Sequence, residues 1–296
     1  MFMALRIHGR VKNRHSIIFG REQIMRLTAL GFALLFFACG GKNAGTPVGP
    51  TPAAPPPPAP TVTAVSIIGS RALRTGQTET MRAEAALSNG TTQTAANSTW
   101  SSSNSSVATV SEAGVVAAMA QGSANISVSS GGASGQLPIQ VWQDYQGTWT
   151  GDYVINVCTE TGSGFRGFCR TFPRGTELPF RLVLTQTNDA ANGTLELGSF
   201  FGPMRGGIFE NRRFVGAGAL STILDGVVFN ATVGTFSVLS TNNSLAGNLV
   251  ISMTVDGVSG NGYWEAVLGP VTRSLTPGRF DTREFDTKIR PLLKQP

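Results

Sequence analysis

The feature that most constrains the fold is a series of short segments in which apolar side chains recur at every second position. The clearest two place Leu178, Phe180, Leu182 and Leu184 on one face, and Leu249, Ile251, Met253 and Val255 on another. Because successive side chains of a β-strand point to opposite faces, this period predicts strands with one buried face. Asn-Gly and Asp-Gly dipeptides accompany the segments, as in β-hairpins. The sequence therefore predicts an all-β chain.

Residues 61–141 show the same alternation in shorter strands. It begins at Val65 and Ile67 and continues through Met81, Ala83, Ala85, Leu87, Ile126, Val128, Leu137, Ile139 and Val141. About seven strands in a segment of this length are typical of an Ig-like β-sandwich. We expect such a sandwich as the first folded domain.

Within this segment, TWSSSNSSVATVSEAGVVAAMAQGSANISVSS (Thr99–Ser130) resembles the bacterial Ig-like domain group 2. The resemblance rests on Trp100 followed by a Ser/Asn run, on Val107–Val110, and on Gly122 before an Ile-containing strand, and it extends over residues 61–141. It implies a surface module that serves as a spacer or, in some adhesins, as a receptor-binding unit. It also implies that Trp100 plugs the core.

Residues 142–276 contain seven to nine further strand-like segments with tight turns between them and no helix. Sequential strands of this kind predict an antiparallel meander, which removes its edges by closing into a small β-barrel. Gly147-Thr148-Trp149 resembles the opening of lipocalin- and avidin-type barrels, which implies that Arg273 lies across Trp149. An outer-membrane barrel is the alternative, but its strands would be longer and flanked by aromatic girdles.

The N-terminal residues 1–38 predict export. Leu27–Ala38 is almost wholly apolar and follows Met25-Arg26, and it is too short to cross a bilayer, so it is typical of a signal peptide. Phe36-Phe37-Ala38-Cys39 resembles the bacterial lipobox, which implies cleavage before Cys39 and lipidation of its sulfur. An ordinary signal peptide is the alternative. The segment before Met25 is interpreted as an upstream start that is not used.

After Cys39 the chain continues as GGKNAGTPVGPTPAAPPPPAP, so that residues 39–60 form the second segment. A Pro-rich stretch without apolar periodicity favours an extended polyproline II conformation. It predicts a tether between the lipid anchor and the folded domains.

Cleavage before Cys39 changes the charge argument. The whole chain has a formal net charge of +6, but six of its 23 basic and one of its 17 acidic residues precede Cys39. The mature protein is therefore nearly neutral, which excludes a nucleic-acid role. His8 and His15 are removed as well, so His-dependent hydrolysis is excluded and neither a metal site nor a cofactor is expected.

Cys158 and Cys169 remain in the mature chain, and two cysteines in an exported protein predict a disulfide. They lie in CTETGSGFRGFCRTFPRGTE, the longest connection of the barrel domain. This segment sets phenylalanines among arginines, and it predicts either a lid for an anionic or amphiphilic ligand or a plug for the barrel end. The candidate ligand-binding residues are Phe165, Arg166, Arg170, Arg174 and Trp149.

Carboxylate chemistry needs no histidine, so a glycosidase is a further alternative, with Glu196, Glu210, Asp225 and Glu265 as candidates for a catalytic pair. Nothing in their spacing favours pairing, and no catalytic residue is assigned. In the C-terminal tail, residues 277–296, Phe285 and Ile289 stand four apart and Pro291 follows, which predicts a short helix that docks on the barrel or frays.

Taken together, these patterns predict a non-enzymatic surface lipoprotein of the cell envelope. The lipid would hold it to a membrane, most simply the outer membrane, with the folded part periplasmic or exposed at the surface. Its barrel would bind a cell-surface glycan, a small amphiphile or another envelope protein. The alternatives are a purely structural spacer and the glycosidase.

Overall fold

The computed structural model describes residues 55–241, 243–274 and 281–290. The expected signal peptide, Cys39 and most of the tether lie outside the described residues. Residues 55–60 are exposed and carry neither helix nor strand. The two domains described below lie within one compact unit, Pro57–Pro296.

The first domain is an Ig-like β-sandwich. Its described residues form ten strands: β1 (Val62–Ile68), β2 (Ala72–Arg74), β3 (Thr78–Thr80), β4 (Arg82–Leu87), β5 (Thr92–Thr94), β6 (Thr99–Ser102), β7 (Ala108–Val110), β8 (Val115–Ala118), β9 (Gly122–Ser130) and β10 (Ala133–Trp142). They pair in three sheets of order β1-β4-β5, β2-β10-β9-β6 and β3-β8-β7.

The sequence predicts about seven strands, whereas the described residues form ten. The number is higher because three of the predicted strands are each divided between two sheets. β1 pairs with β4 whereas β2 pairs with β10, β3 pairs with β8 whereas β4 pairs with β1, and β5 pairs with β4 whereas β6 pairs with β9. The change between β3 and β4 occurs at Met81, whose side chain is buried and whose backbone N–H donates to the Gly114 carbonyl at 2.9 Å. The sheets therefore wrap one core.

The alternation predicted from the sequence is confirmed in this core, where Val65, Ile67, Met81, Ala83, Ala85, Ile126, Val128, Leu137, Ile139 and Val141 are all buried. Leu87, at the end of β4, is the exception because it is only half-buried. Trp100 differs from the expectation of a fully buried plug. It is half-buried and packs against the core edge, where a side chain on Gly114 would meet its ring at 3.1 Å.

The second domain is a closed antiparallel barrel. Its described strands are β11 (Gly147–Thr161), β12 (Glu177–Thr187), β13 (Ala190–Leu197), β14 (Phe200–Ile208), β15 (Arg213–Leu224), β16 (Val227–Thr241), β17 (Ser244–Val255), β18 (Asn261–Leu268) and β19 (Val271–Ser274). Each strand pairs with the next from β12 to β18, and β11 pairs with both β12 and β18. The predicted meander and its closure are confirmed.

β18 and β19 together fill one position of an eight-stranded ring. β18 pairs with the second half of β11, from Tyr153 onward, whereas β19 pairs with its first half, Thr148 to Thr150. Register shifts occur in β11, β15 and β16. Such bulges increase the local twist and bend that a small barrel needs in order to close.

Glycines permit close approach between neighbouring barrel strands. A Cβ on Gly193 of β13 would lie 1.8 Å from the Val183 carbonyl oxygen of β12, which is impossible without moving the backbone. β12 and β13 therefore approach each other more closely here than any residue other than glycine would allow.

Side chains fill the barrel rather than lining a channel. The bulkiest fully buried side chains among the described residues all belong to this domain and its C-terminal helix: Trp149, Trp264, Tyr145, Tyr153, Phe168, Phe172, Phe180, Phe200, Phe214, Phe229, Phe236 and Phe285. Phe180 and Phe236 stack across the interior with their rings 5.9 Å apart. An eight-stranded barrel is just wide enough to be filled in this way.

The C-terminal helix α2 (Arg283–Ile289) docks on the barrel rather than fraying. Phe285 and Ile289, four residues apart, are both fully buried. The Phe285 ring stacks on Phe172 at 5.6 Å and meets Phe200 edge-on at 5.5 Å. The helix therefore closes one end of the barrel.

Candidate functional site

The segment between β11 and β12 forms a stapled rim at the barrel end farther from the Ig-like domain. It contains a 3₁₀ turn (Ser163–Phe165) and the short helix α1 (Phe168–Thr171), which corrects the expectation that no helix lies between the barrel strands. Cys158 on β11 and Cys169 on α1 form the predicted disulfide, with their Cα atoms 5.6 Å apart. The carboxylate of Glu160 adds a second staple, because it accepts hydrogen bonds from the backbone N–H groups of Gly167 at 2.9 Å and Cys169 at 2.8 Å.

The phenylalanines of this rim point inward. Phe168 stacks on Trp264 with ring centroids 5.1 Å apart, and Phe172 meets the same indole edge-on at 5.1 Å. Phe165 packs against Phe168 at 5.5 Å and is only 2% exposed. The rings therefore plug the barrel end, which is one of the two arrangements expected from the sequence.

This placement corrects the expectation that Phe165 and Trp149 face a ligand, since burial in the aromatic core removes both from solvent. The spacing of the three rim phenylalanines indicates that their rings are buried together. Phe165, Phe168 and Phe172 stand three and four positions apart, which is the period of one helix face rather than of an exposed loop.

Arg166, Arg170 and Arg174 do remain exposed on the rim. No ion pair within 4.0 Å joins them to a carboxylate among the described residues. Arg170 is close enough to Glu160 to help lower the pKa of that carboxyl. The rim thus presents three cations over an aromatic plug.

The lowered pKa of the Glu160 carboxyl predicts a pH-dependent contribution to stability. Partial desolvation alone would raise its pKa, but the N–H donors of Cys169 and Gly167 and the charge of Arg170 outweigh this and lower it. A lowered folded-state pKa stabilises the fold above the ordinary value of 4.5, and this contribution is lost as the pH falls through the folded-state pKa.

Glu160→Gln should therefore lower the melting temperature at neutral pH, and the difference from wild type should shrink in acid. Thermal unfolding followed across a pH series measures this. Glu177→Gln removes an equivalent charge from an exposed site on β12 and is the control. A difference for Glu160→Gln that stays constant into strong acid would contradict this role of the carboxylate.

The opposite end of the barrel is organised around Trp149. Its indole N–H donates to the Tyr145 carbonyl at 2.9 Å, and the Arg273 guanidinium lies 4.6 Å above the ring. The predicted contact between Arg273 and Trp149 is confirmed, and a cation–π contact of this kind contributes about 0.5–2 kcal/mol. Arg273 also donates to the Asp144 carboxylate at 2.8 Å and to its carbonyl at 3.0 Å.

Asp144 joins the two domains, a role that the sequence analysis missed. Besides Arg273 of the barrel, its carboxylate lies 3.5 Å from the Arg74 Nε of the Ig-like domain, and its N–H donates to the Thr75 hydroxyl at 3.0 Å. The buried Gln186 holds the same connection from the barrel side, because it accepts from the Tyr145 N–H at 2.8 Å and donates to the Gln143 carbonyl at 3.0 Å. No sequence pattern signals such a contact, since it depends on how two domains meet.

Two polar groups inside the barrel have no hydrogen-bond partner among the described residues, the Tyr153 hydroxyl and the Trp264 indole N–H. Burial also raises the pKa of Tyr153. An unpaired buried hydroxyl costs free energy that a phenyl ring of the same shape does not.

Tyr153→Phe should therefore raise the free energy of unfolding by about 1 kcal/mol. Tyr145→Phe is the matched control, because the Tyr145 hydroxyl lies 2.6 Å from the Arg212 carbonyl oxygen and its loss should destabilise the protein by about 1–2 kcal/mol. Urea titration of both variants measures the pair. Equal destabilisation by the two changes would contradict the unpaired state of Tyr153.

The carboxylates considered for a glycosidase have separate surroundings. Glu196 pairs with Arg181 at 2.9 Å, Asp225 forms an ion pair with Arg290, and Glu265 accepts from the Tyr263 hydroxyl at 3.0 Å. Glu210 is exposed in the turn after β14. Three of the four thus interact with three different partners.

No three His, Cys, Asp or Glu side chains among the described residues lie close enough together to hold a metal ion. Within the same residues, no helix is both long and apolar enough to span a bilayer.

Comparison with known proteins gives matches among solved structures. Among curated protein sequences no match was found. The solved structure of domains 5-6 of the S-layer protein SbsC is similar at 14% identity and a TM-score of 0.27, covering 70% of this chain and 98% of that one. Domains 1-6 of the surface layer protein SbsC are similar at 15% identity and a TM-score of 0.28, covering 74% of this chain and 26% of that one.

The sequence itself gives a firmer match. An Ig-like sandwich fits a surface or structural module. Residues 61–141 match the family model of the bacterial Ig-like domain (group 2), and the first described domain is therefore identified as a member of that group.

Proposed function

We propose that the chain is a non-enzymatic, envelope-anchored surface lipoprotein in which the Ig-like domain is a spacer and the barrel is a solid terminal module. The observation that carries this proposal is the filled barrel. Rings such as Phe180 and Phe236 occupy the interior, and the rim phenylalanines with Phe285 cover the far end. A barrel without interior space presents its outer surface rather than a ligand cavity.

The packed interior favours the structural alternative over a barrel that encloses an amphiphile. A fatty acid needs an apolar cavity, and here buried apolar side chains such as Phe180 and Phe236 already occupy the interior. The engaged carboxylates likewise favour a non-enzymatic role over a glycosidase, because Glu196 and Asp225 are each held by an arginine.

A ligand screen tests the solid barrel. Laurate and a neutral glycan, each added at saturating concentration to the mature chain, should leave the melting temperature unchanged, since only a ligand that binds the folded state raises it. A concentration-dependent rise of several degrees in the melting temperature with laurate would overturn the proposal and would favour a barrel that encloses a ligand.

The anchor rests on the lipobox-like Phe36–Cys39 and on the Pro-rich residues 40–60. Acylation of Cys39 would hold the protein at the membrane, most simply the outer membrane, and the tether would keep its domains clear of the surface. Mass spectrometry of protein extracted from its native membrane should find a mature N-terminus at a lipid-modified Cys39. An unmodified chain that retains residues 1–38 would exclude the anchor.

A second candidate function is adhesion through the rim, favoured by the exposure of Arg166, Arg170 and Arg174 at the end remote from the Ig-like domain. Guanidinium groups on a disulfide-held segment suit an anionic glycan or an acidic envelope protein. Replacing all three by Gln should abolish retention on immobilised dextran sulfate, an anionic glycan without uronic acid, if the rim is adhesive, and unchanged retention would remove this candidate.

A further inference from the structure

A polar cleft of about 570 Å³ opens where the two domains meet. It is lined by the turn Arg74–Gln77 of the Ig-like domain, by Gln143 and Asp144 of the connection, and by Asn243 and Arg273 of the barrel. Its volume is that of a small-molecule site, but its lining is polar rather than apolar. A cleft of this kind suits a hydrophilic ligand and not an acyl chain.

The ionised groups of the cleft are not equally available. Both terminal amino groups of Arg273 bind Asp144, through its carboxylate and its carbonyl. Arg74 contacts Asp144 only through Nε, at 3.5 Å, and its two terminal amino groups have no hydrogen-bond partner among the described residues. Arg273 keeps only its buried Nε–H unpaired, whereas the Arg74 side chain is 31% exposed, so Arg74 is the cation in the cleft whose accessible donors remain unpaired among the described residues.

Neighbouring side chains add donors to those of Arg74. The Thr75 hydroxyl oxygen already accepts from the Asp144 N–H, and the side-chain amide oxygen of Gln77 already accepts from the Arg74 N–H at 3.1 Å. The hydroxyl proton of Thr75 and the amide N–H₂ of Gln77 are thus left to donate. Donors outnumber acceptors along the turn, which favours a ligand rich in acceptor oxygens and carrying negative charge.

We propose that this cleft binds a carboxylated sugar, a uronic acid unit of an acidic glycan. The Arg74 guanidinium would bind the carboxylate, and Thr75, Gln77 and the amides of Gln143 and Asn243 would bind ring hydroxyls. The cleft is larger than a simple inorganic anion needs and holds side-chain amides suited to hydroxyl groups. This inference goes beyond the proposed function and does not depend on the anchor or on the state of the barrel interior.

Calorimetric titration of the mature chain with trigalacturonic acid tests the proposal, with neutral maltotriose as the size-matched comparison. We expect saturable binding of the acid and none of the neutral sugar. Arg74→Gln should weaken the affinity at least about tenfold. Asn243→Gly, which removes the side-chain amide but tolerates the left-handed backbone of this position (φ 63°), should weaken it about threefold.

Two control variants make the result specific. Arg82→Gln removes the same charge from an exposed position on β4 outside the cleft and should bind as wild type. Replacement of Arg166, Arg170 and Arg174 by Gln should also leave binding unchanged. Absence of binding, equal binding of maltotriose, or loss of binding only in the rim variant would each overturn the proposal, and thermal unfolding confirms that every variant is folded.

Discussion

Phe285→Ala is expected to lower the free energy of unfolding by about 3–5 kcal/mol. The ring is fully buried between Phe172 and Phe200, and a Cβ on Gly198 would lie 2.4 Å from it, so the site has no room to spare and a large cavity would follow truncation. Urea unfolding followed by tryptophan fluorescence measures the loss, because Trp264 lies beneath the same aromatic plug.

Phe201→Ala is the matched control. Phe201 is the neighbour of Phe200 on β14, but its side chain is 54% exposed, so its removal should change the free energy of unfolding by no more than about 0.5 kcal/mol. Equal effects of the two variants would contradict the docking of α2 and the closure of the barrel end.

The double variant Cys158→Ser and Cys169→Ser should cost about 3 kcal/mol, the value expected for opening a covalent loop between cysteines 11 positions apart. The bond restricts the unfolded chain, and it also holds α1 so that Phe168 and Phe172 can reach Trp264. Chemical denaturation of the oxidised wild type, the reduced wild type and the double variant provides the comparison.

The reduced wild type and the double variant should unfold together, and both should unfold at lower urea than the oxidised protein. If all three unfold at the same concentration, the rim is held by its aromatic contacts and by Glu160 alone. That outcome would contradict a stabilising role for the disulfide.

Much of the architecture could be predicted because it depends on local periodicity. Alternation at positions such as Leu178 to Leu184 specifies which face of a strand is buried. A meander of strands with one apolar face buries that face and removes its exposed edges when it closes into a barrel. The Arg273 contact with Trp149 was predicted from a family resemblance and not from spacing. It joins residues far apart in the chain through the pairing of β11 with β19.

The candidate site was harder to predict because it depends on tertiary packing. The rim arginines are exposed as expected, but the phenylalanines beside them turn inward because Trp264 and Phe285 provide an apolar surface that the local sequence does not reveal. The cleft at Asp144 is even harder to predict from local sequence patterns. Asp144 lies in a linker without a recognisable motif, and it bridges Arg74 and Arg273. This bridge forms only because the two domains meet there.

The central claim, a closed barrel filled by its own side chains, is tested most directly by nuclear Overhauser effects in the isotope-labelled mature chain. The account predicts backbone effects between Ile155 and Ala266, which face each other where β11 pairs with β18 to close the ring, and ring-to-ring effects between Phe168 and Trp264. If both sets were missing from an otherwise well-dispersed spectrum, the sheet would be open or the interior empty, and the claim would fail.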